Sequence, residues 1–146
     1  MKISTKGRYG LRAMVDLAVF SGGEHVSLSS IAERQMISVN YLEQVFSVLR
    51  KAGLVRSIKG AQGGYTLTDE PSNIYVGSIL RVLEGELSVI EFDNSECRNM
   101  IQACLKDMVW DRMNECLNEM VDSITLEDLA NDYRRLNGFD AIMYYI

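Results

Sequence analysis

The sequence has few of the residues on which hydrolytic and transfer enzymes depend. It contains one histidine and one proline in 146 residues. His25 alone offers no nucleophile–base pair, and neither a phosphate-binding loop nor a two-histidine metal motif occurs. His25 lies in a predicted loop at residues 21–25, where we expect it to be solvated. These absences argue against an enzyme.

The amino-acid sequence also shows no pattern typical of a membrane span or an export signal. No apolar run approaches the ~18 residues needed to cross a bilayer, and no signal peptide opens the chain. The three cysteines, an odd number without a secretion signal, argue against a disulfide framework. We therefore expect a cytoplasmic protein without a membrane partner. A hydrophobic content of 47% predicts one core, from which a dimerisation arm can extend.

Two helices joined by a tight turn are predicted between Ser27 and Lys51. Ser27 is placed to cap the first helix, and Met36-Ile37-Ser38 forms the turn. Ser38 then caps a second helix that runs from about Val39 to Lys51. One face of this helix is apolar at three- and four-residue steps, and we expect it to be buried: Leu42, Val45, Phe46 and Leu49.

The opposite face of the second helix is polar and suits DNA. Glutamine and asparagine pair with adenine, arginine with guanine or phosphate, and glutamate accepts from cytosine. We therefore predict that this helix reads bases. The residues concerned, with the cap, are Ser38, Asn40, Tyr41, Glu43, Gln44, Ser47 and Arg50.

A β-hairpin follows the second helix and resembles a wing. Its strands are predicted at residues 54–58 and 65–68, and a glycine-rich tip is predicted at residues 59–64. Arg56, Lys59 and Gln62 are placed to reach phosphates or a minor groove. A small helical core with an ordinary hairpin is the alternative. The joint order of cap, turn, polar helix and basic wing favours a winged helix-turn-helix.

The turn contains one unusual residue. Helix-turn-helix turns usually contain glycine, whereas this chain has Met36. If Met36 adopts the left-handed conformation, we expect strain of roughly 1–2 kcal/mol. The turn could instead be built differently.

Charge divides the chain into a basic and an acidic part. Residues 1–65 carry nine Lys/Arg and four Asp/Glu, whereas residues 66–146 carry six and sixteen. The net charges of +5 and −10 favour DNA contact by the first part only. A helix from about Lys6 to Phe20 should bring Lys2, Lys6 and Arg8 to a DNA backbone.

After a short helix at residues 76–83, an acidic segment at residues 86–96 is predicted to be irregular and mobile. The longest helix then runs from about Arg98 to Val121, and its ~35 Å exceed what a small domain covers. Packing on its own domain is one alternative. We favour a homodimer formed by Met108, Met113, Leu117 and Met120. The predicted division is thus 1–84 for DNA binding, 85–97 for the loop and 98–146 for dimerisation.

A final helix is predicted to begin at Thr125 and end near Arg135. Thr125 and Asp128 resemble a capping box, with aspartate replacing the usual glutamate. Asn137-Gly138 is predicted to stop the helix, leaving an apolar, aromatic tail that ends at Ile146.

Four sequence segments together resemble one bacterial family. They are KISTKGRYGLRAM, SIAERQMISVNYLEQVFSVLRKAGLV, the wing GAQGGY, and CLKDMVW with SITLEDL. They are similar to the Rrf family of transcription regulators. The resemblance implies a homodimer on a partly palindromic site, with one helix-turn-helix per half-site and wings in the minor groove. It also implies control of genes for iron–sulfur cluster or cysteine/sulfur metabolism.

The iron–sulfur branch of this family has three cysteines before the long helix, often with a histidine or acidic fourth ligand. By this resemblance Cys97 and Cys104 occupy the second and third positions, and Asp107 stands where the histidine would be. The first position, within residues 91–94, holds no cysteine. On one helix Cys97 and Cys104 would lie ~10 Å apart, so a shared cluster or disulfide needs an unwound loop up to Cys104.

Three interpretations of these thiols therefore remain open: an iron–sulfur cluster, a redox switch, or inert side chains. Carboxylates are weak substitutes for the thiolates that clusters prefer. We expect Cys116, on the apolar stripe of the long helix, to be a small core residue.

The tail also has two interpretations. It can dock on its own dimer. Alternatively, the cysteine-metabolism branch of the family ends in a similar aromatic run that closes on isoleucine. That resemblance implies that Ile146 inserts its side chain and carboxylate into cysteine synthase, which makes the protein an interaction module as well.

Overall fold

The computed structural model describes residues 1–91 and 99–144, with side chains described as far as residue 138. It is mainly helical with one two-stranded hairpin, which confirms the predicted fold class. The elements in chain order are α1 (Thr5–Phe20), α2 (Leu28–Gln35), α3 (Val39–Lys51), β1 (Val55–Ile58), β2 (Gly64–Leu67), a 3-10 turn (Pro71–Asn73), α4 (Val76–Glu84), α5 (Met100–Leu105), a π-helical segment (Lys106–Trp110), α6 (Asp111–Ser123) and α7 (Leu126–Tyr144).

The main core lies between α1, α2, α3 and α4. The predicted apolar face of α3 is completely enclosed there, because Leu42, Phe46 and Leu49 are fully buried. The beginning of α7 returns to this same core with Leu126 and Ala130. The helix-turn-helix therefore packs on its buried side against α1 and the beginning of α7.

Two glycines inside α1 allow α4 to approach closely. A Cβ at Gly10 would overlap the Leu83 side chain, and one at Gly7 would overlap the Glu84 carboxylate. Glycine weakens a helix interior by roughly 1 kcal/mol, so its presence here has a packing reason. The contact places the first turn of α1 against the last turn of α4.

A buried ion pair joins α1 to α2. The Asp16 side chain is fully buried and accepts from Arg34 Nε at 2.9 Å, Arg34 Nη2 at 2.7 Å and Gln35 Nε2 at 2.9 Å. The hydrogen bond to Asp16 raises the pKa of Arg34, whose guanidinium also lies 4.2 Å from the centre of the Phe20 ring. These bonds fix the position of α2 against α1.

Met36 adopts the left-handed conformation, with φ 57° and ψ 47°. The sequence left two alternatives for the turn, a strained left-handed Met36 or a turn built differently, and the structure has the first. The Met36 side chain is 92% exposed, so packing does not compensate for the backbone cost. The turn geometry itself, which sets the angle between α2 and α3, must hold this residue in place.

The wing is anchored to the body by a third extended segment. β1 and β2 pair antiparallel from Val55↔Leu67 to Ile58↔Gly64, within a residue or so of the predicted strands. Val26 and Tyr65 exchange backbone hydrogen bonds of 2.9 and 2.8 Å. Gly64 lies so close to the Val26 backbone that a Cβ there would overlap it.

The long helix is continuous from Met100 to Ser123, with a π-helical segment in its middle. Arg98, where we predicted its start, lies outside the described residues, and Asn99 caps the observed helix. Cys104 lies in α5, so the unwound loop up to Cys104 that a cluster or disulfide requires is not observed over residues 100–104.

Two bridges fix the long helix to the rest of the chain. Arg81 of α4 donates to Asp122 at 2.6 and 2.9 Å and to Asn118 at 2.6 Å. This hydrogen bond lowers the pKa of Asp122. Asn114 Oδ1 accepts from the Val89 N–H at 2.7 Å. The segment after α4, which we predicted to be mobile, is thus held at Leu87–Val89, while residues 92–96 lie outside the described part.

The capping box at the start of α7 is confirmed. The Thr125 N–H donates to Asp128 at 3.0 Å, and the Asp128 N–H donates to the Thr125 hydroxyl at 3.0 Å. The predicted stop at Asn137-Gly138 is wrong, because α7 continues to Tyr144. Glycine ends a helix when it turns left-handed, and otherwise only weakens it.

Candidate nucleic-acid interface

The exposed face of α3 presents the side chains that we predicted to read bases. Asn40, Glu43, Gln44 and Arg50 are exposed, and Ser47 is half-buried. Ser38 caps the helix by accepting from the Tyr41 N–H at 3.1 Å. Since the opposite face is fully enclosed in the core, the polar face is held in a fixed orientation.

Tyr41 has a different role from its polar neighbours. It is half-buried, and its ring packs edge-on against Tyr9 of α1, with ring centres 5.9 Å apart. The Arg12 guanidinium lies 5.2 Å from the Tyr9 ring centre, and Arg8 lies 6.0 Å from it. The aromatic pair therefore places the cations of α1 beside the beginning of α3.

The N-terminal cations occupy the beginning of α1 and the residues before it. Lys2 and Arg8 are exposed, whereas Lys6 is half-buried. Arg8 Nη2 donates to the Thr5 hydroxyl at 3.4 Å. Glu84 is the acidic group at this position, and its carboxylate accepts from the Ser4 N–H at 3.1 Å and the Gly7 N–H at 3.0 Å.

The wing places its predicted contact residues in two different settings. Lys59 and Gln62 are exposed at the tip, and His25 is exposed beside it, with Nε2 in hydrogen-bonding contact with the Gln62 carbonyl. Arg56 lies at the base of the wing. It lines a recess with the loop after α1 and with Arg134 of α7. The structure therefore does not bring Arg56 together with the tip.

Two exposed apolar residues, one in the turn and one at the beginning of α3, were not among the predicted contacts. Met36 is 92% exposed and Val39 is 37% exposed. Apolar side chains contact the methyl group of thymine in the major groove, so Val39 joins the candidate base-reading residues. Helical periodicity could have identified it, because Val39 lies one turn before Glu43.

The cysteine residues do not form a site within the described residues. Cys104 and Asp107 are exposed on the long helix, and Cys97 lies outside the described part of the chain. Over the described residues, no three His, Cys, Asp or Glu side chains lie close enough to bind one metal ion. Cluster binding by Cys97, Cys104 and Asp107 stays a prediction, as does the redox alternative.

Cys116 was expected in the core, and this is wrong. Its side chain is exposed, and it lines an apolar groove of about 630 Å³ along α6. The groove contains three of the four predicted dimer residues, Met108, Met113 and Leu117, together with Val109, Ile3 and Val89. The stripe is apolar as predicted. Leu117 packs partly against the body of the chain, but Met108, Met113 and Met120 stay exposed in the described structure.

Comparison with known proteins agrees with this geometry. A family model described as Rrf2, iron-dependent transcriptional regulator, matches residues 3–132. This chain belongs to the Rrf2 family. The HTH-type regulator CymR of Bacillus subtilis is 50% identical over 131 residues, which cover 90% of this chain and 91% of CymR.

Solved structures of Rrf2 regulators superpose on this chain. CymR (YrzC), the global cysteine regulator of B. subtilis, gives a TM-score of 0.78 at 49% identity over 90% of this chain and 97% of that one. T. potens IscR gives 0.72 at 50% identity over 91% and 88%. The protein is a DNA-binding transcriptional regulator with a winged helix-turn-helix, which confirms the predicted family and function class.

Two further predictions concern the membrane and the tail. None of the described helices is long and apolar enough to cross a membrane. Tyr145 and Ile146 lie outside the described residues, and the comparisons do not address cysteine synthase. Docking of Ile146 in that enzyme stays a prediction.

Proposed function

We propose that α3 enters the major groove of an operator and reads bases with Asn40, Glu43 and Gln44, with Val39 beside them. The observation that carries this proposal is the orientation of α3: its apolar face is fully buried, and its polar face is free. Lys2, Lys6 and Arg8 contact the phosphate backbone beside it. The wing tip, with Lys59 and Gln62, reaches the neighbouring minor groove.

Selection of bound sequences from a randomised DNA pool tests this assignment. Gln44→Ala should lose preference at one base pair per half-site, a change of ~1–3 kcal/mol at that position. Lys59→Ala should weaken binding to all sequences equally and reduce the salt dependence, because phosphate contacts position the protein without specifying sequence.

Arg56→Ala serves as the matched comparison for the wing. Arg56 and Lys59 carry the same charge, but only Lys59 lies at the tip. We expect a smaller loss of affinity for Arg56→Ala than for Lys59→Ala. Unchanged base preference in both Gln44→Ala and Glu43→Ala would contradict the placement of α3.

We further propose that the protein acts as a homodimer joined along the long helix. The exposed apolar residues of this helix support the proposal: Met100, Ile101, Leu105, Met108, Met113 and Met120. Monomeric proteins rarely expose a continuous apolar patch of this kind, and a second copy of the helix supplies a matching surface. Sedimentation equilibrium should give twice the chain mass of 16.5 kDa.

The regulated genes are proposed to be those of cysteine or iron–sulfur metabolism. The support is the similarity to CymR, named as a global cysteine regulator, and to IscR. Sequencing of genomic fragments retained by the purified protein tests this proposal. Fragments enriched upstream of genes for cysteine uptake, cysteine synthesis or cluster assembly are expected. Enrichment confined to unrelated genes would exclude the pathway but not the DNA-binding function.

A further inference from the structure

Glu84, the last residue of α4, completes the N-terminal cap of α1 from another helix. Ser4 is the N-cap, and its hydroxyl accepts from the Gly7 N–H at 3.3 Å. Glu84 Oε1 accepts from the Ser4 N–H at 3.1 Å, from the Gly7 N–H at 3.0 Å and from the Ser4 hydroxyl. One carboxylate oxygen thus collects three donors at the beginning of α1.

This arrangement is a capping box in which one partner comes from a different helix. In the usual box a glutamate at the third helical position bonds the backbone N–H of the N-cap residue. Here the third position is Gly7, which has no side chain, and Glu84 supplies the carboxylate instead. A Cβ at position 7 would overlap that carboxylate, so any larger residue there would displace Glu84 from the cap.

The capped turn lies among the N-terminal cations. Lys2 precedes Ser4, while Lys6 and Arg8 follow it within one turn. Without a cap, the first turn of a helix frays, and the directions of its side chains are no longer fixed. Three hydrogen bonds to Glu84 instead hold this turn against α4, which is itself fixed to the long helix through Arg81.

We propose that Glu84 is a positioning residue for DNA binding, which acts by fixing the first turn of α1 so that Lys6 and Arg8 meet the phosphate backbone. This rests on the proposed contact between α1 and DNA. Charge alone predicts the opposite role, because a carboxylate beside phosphate-binding cations repels DNA. The two roles differ in the sign of the effect of substitution.

Three substitutions at Glu84 and one control separate positioning from charge. Glu84→Ala removes both the carboxylate and the cap. Glu84→Asp keeps the charge but is one methylene shorter, and Glu84→Gln keeps the length and an acceptor oxygen while losing the charge. Glu86→Ala is the control, since Glu86 is an exposed carboxylate two residues away.

Operator affinity should fall several-fold in Glu84→Ala and less in Glu84→Asp. Affinity should be retained in Glu84→Gln and be unchanged or slightly tighter in Glu86→Ala. Thermal unfolding identifies any variant that is not folded at the assay temperature. Glu84→Asp keeps the test decisive if Glu84→Ala does not fold.

The salt dependence of binding provides a readout that a purely structural role would not change. The slope of log K against log salt should become shallower in Glu84→Ala by ~0.9 for each phosphate that the protein no longer neutralises. In the double variant with Lys6→Ala, the second substitution should add little, because both substitutions remove the same interaction with phosphate.

The outcomes distinguish this inference from the function on which it rests. Affinity in Glu84→Ala that equals or exceeds that of Glu86→Ala overturns the inference, as does full additivity with Lys6→Ala. If Lys6→Ala and Arg8→Ala leave binding unchanged while Gln44→Ala alters base preference, α1 does not contact DNA. The inference then fails, while base reading by α3 stands.

Discussion

The amphipathic helices in the two halves of the chain differ in how far their apolar stripes are covered. In α1 and α3 the apolar stripe is enclosed by the chain itself, as the fully buried Leu17 and Phe46 show. Much of the stripe on the long helix remains open, with Met100 90% exposed and Met108 59% exposed. The core around α1 and α3 is closed by α4 and the beginning of α7, whereas part of the stripe on the long helix is left without a covering surface in the described chain.

The charges of the two halves match this division. The basic half contains α3 and the wing, and the acidic half contains the long helix. An acidic arm repels phosphate, which favours DNA contact by the basic half. We therefore expect DNA contacts and contacts with a second chain in different parts of the molecule, and the following predictions alter one part at a time.

The largest expected effect is the loss of the buried ion pair in the first half. Arg34→Ala leaves the fully buried Asp16 carboxylate without its main partner, which should lower the free energy of unfolding by about 3 kcal/mol. This is the low end for buried pairs, because the Arg34 side chain is 32% exposed. Urea unfolding measures the change.

Arg135→Ala is the control for this substitution. It removes an exposed pair with Asp132 and should cost at most ~1 kcal/mol. Equal losses in Arg34→Ala and Arg135→Ala would mean that the buried pair does not hold α2 against α1.

The next effect concerns the apolar groove of the second half. Met113→Lys places a charge in the proposed dimer surface, which should give a monomer in sedimentation experiments. Loss of the second half-site should weaken operator binding by about 100-fold. Met113 is preferable to Leu117, which packs partly against the body of its own chain.

Leu136→Lys provides the comparison on α7. Leu136 is an exposed apolar residue outside the groove, so the variant should remain dimeric and bind the operator. A Met113→Lys protein that stays dimeric with normal affinity would place the interface elsewhere.

A smaller effect is expected at the strained turn. Met36→Gly removes the backbone strain of a methionine in the left-handed conformation, which should raise the free energy of unfolding by ~1 kcal/mol. The extra chain entropy of glycine in the unfolded state reduces this gain. Glu33→Gly, in the preceding right-handed helix, should instead lose ~1 kcal/mol. Chemical denaturation of both variants measures the sign of each change in the free energy of unfolding. A lower free energy of unfolding in Met36→Gly would contradict backbone strain at Met36.

The smallest effect is the pH response of the Arg81–Asp122 bridge between α4 and α6. The hydrogen bond from Arg81 lowers the pKa of Asp122 in the folded protein. The stabilisation is therefore present above the ordinary aspartate pKa of about 4 and is lost as pH falls through the lower folded value. Asp122→Asn should lose less thermal stability than the wild type between about pH 5 and pH 3. An identical dependence of thermal stability on pH in the two proteins would show that the bridge contributes nothing to stability.

Local patterns in the sequence were sufficient for most of the first half. The caps Ser27 and Ser38 and the period of α3 are contained within a few neighbouring residues, and the structure has them as predicted. The same holds for the Thr125–Asp128 box. Such features depend on hydrogen bonds that span three or four residues, so no distant partner is needed to predict them.

Predictions failed where a distant contact or a weak local preference decided the outcome. Asn137-Gly138 does not end α7, because one glycine costs too little to stop a helix. Cys116 was assigned to a core that the single chain does not form around it. The buried Asp16 was not identified, since an acidic residue in an amphipathic helix is normally solvated.

The sequence by itself was sufficient for the family, through the resemblance of four segments to its members. It was also sufficient for the winged helix-turn-helix and the exposed polar face of α3, because repeat period and capping are local properties. Only the tertiary structure decided that Glu84 caps α1 and that Arg34 neutralises Asp16. These depend on residues eighteen to eighty positions apart in the chain, and their proximity follows from how the helices pack rather than from any pattern along one of them.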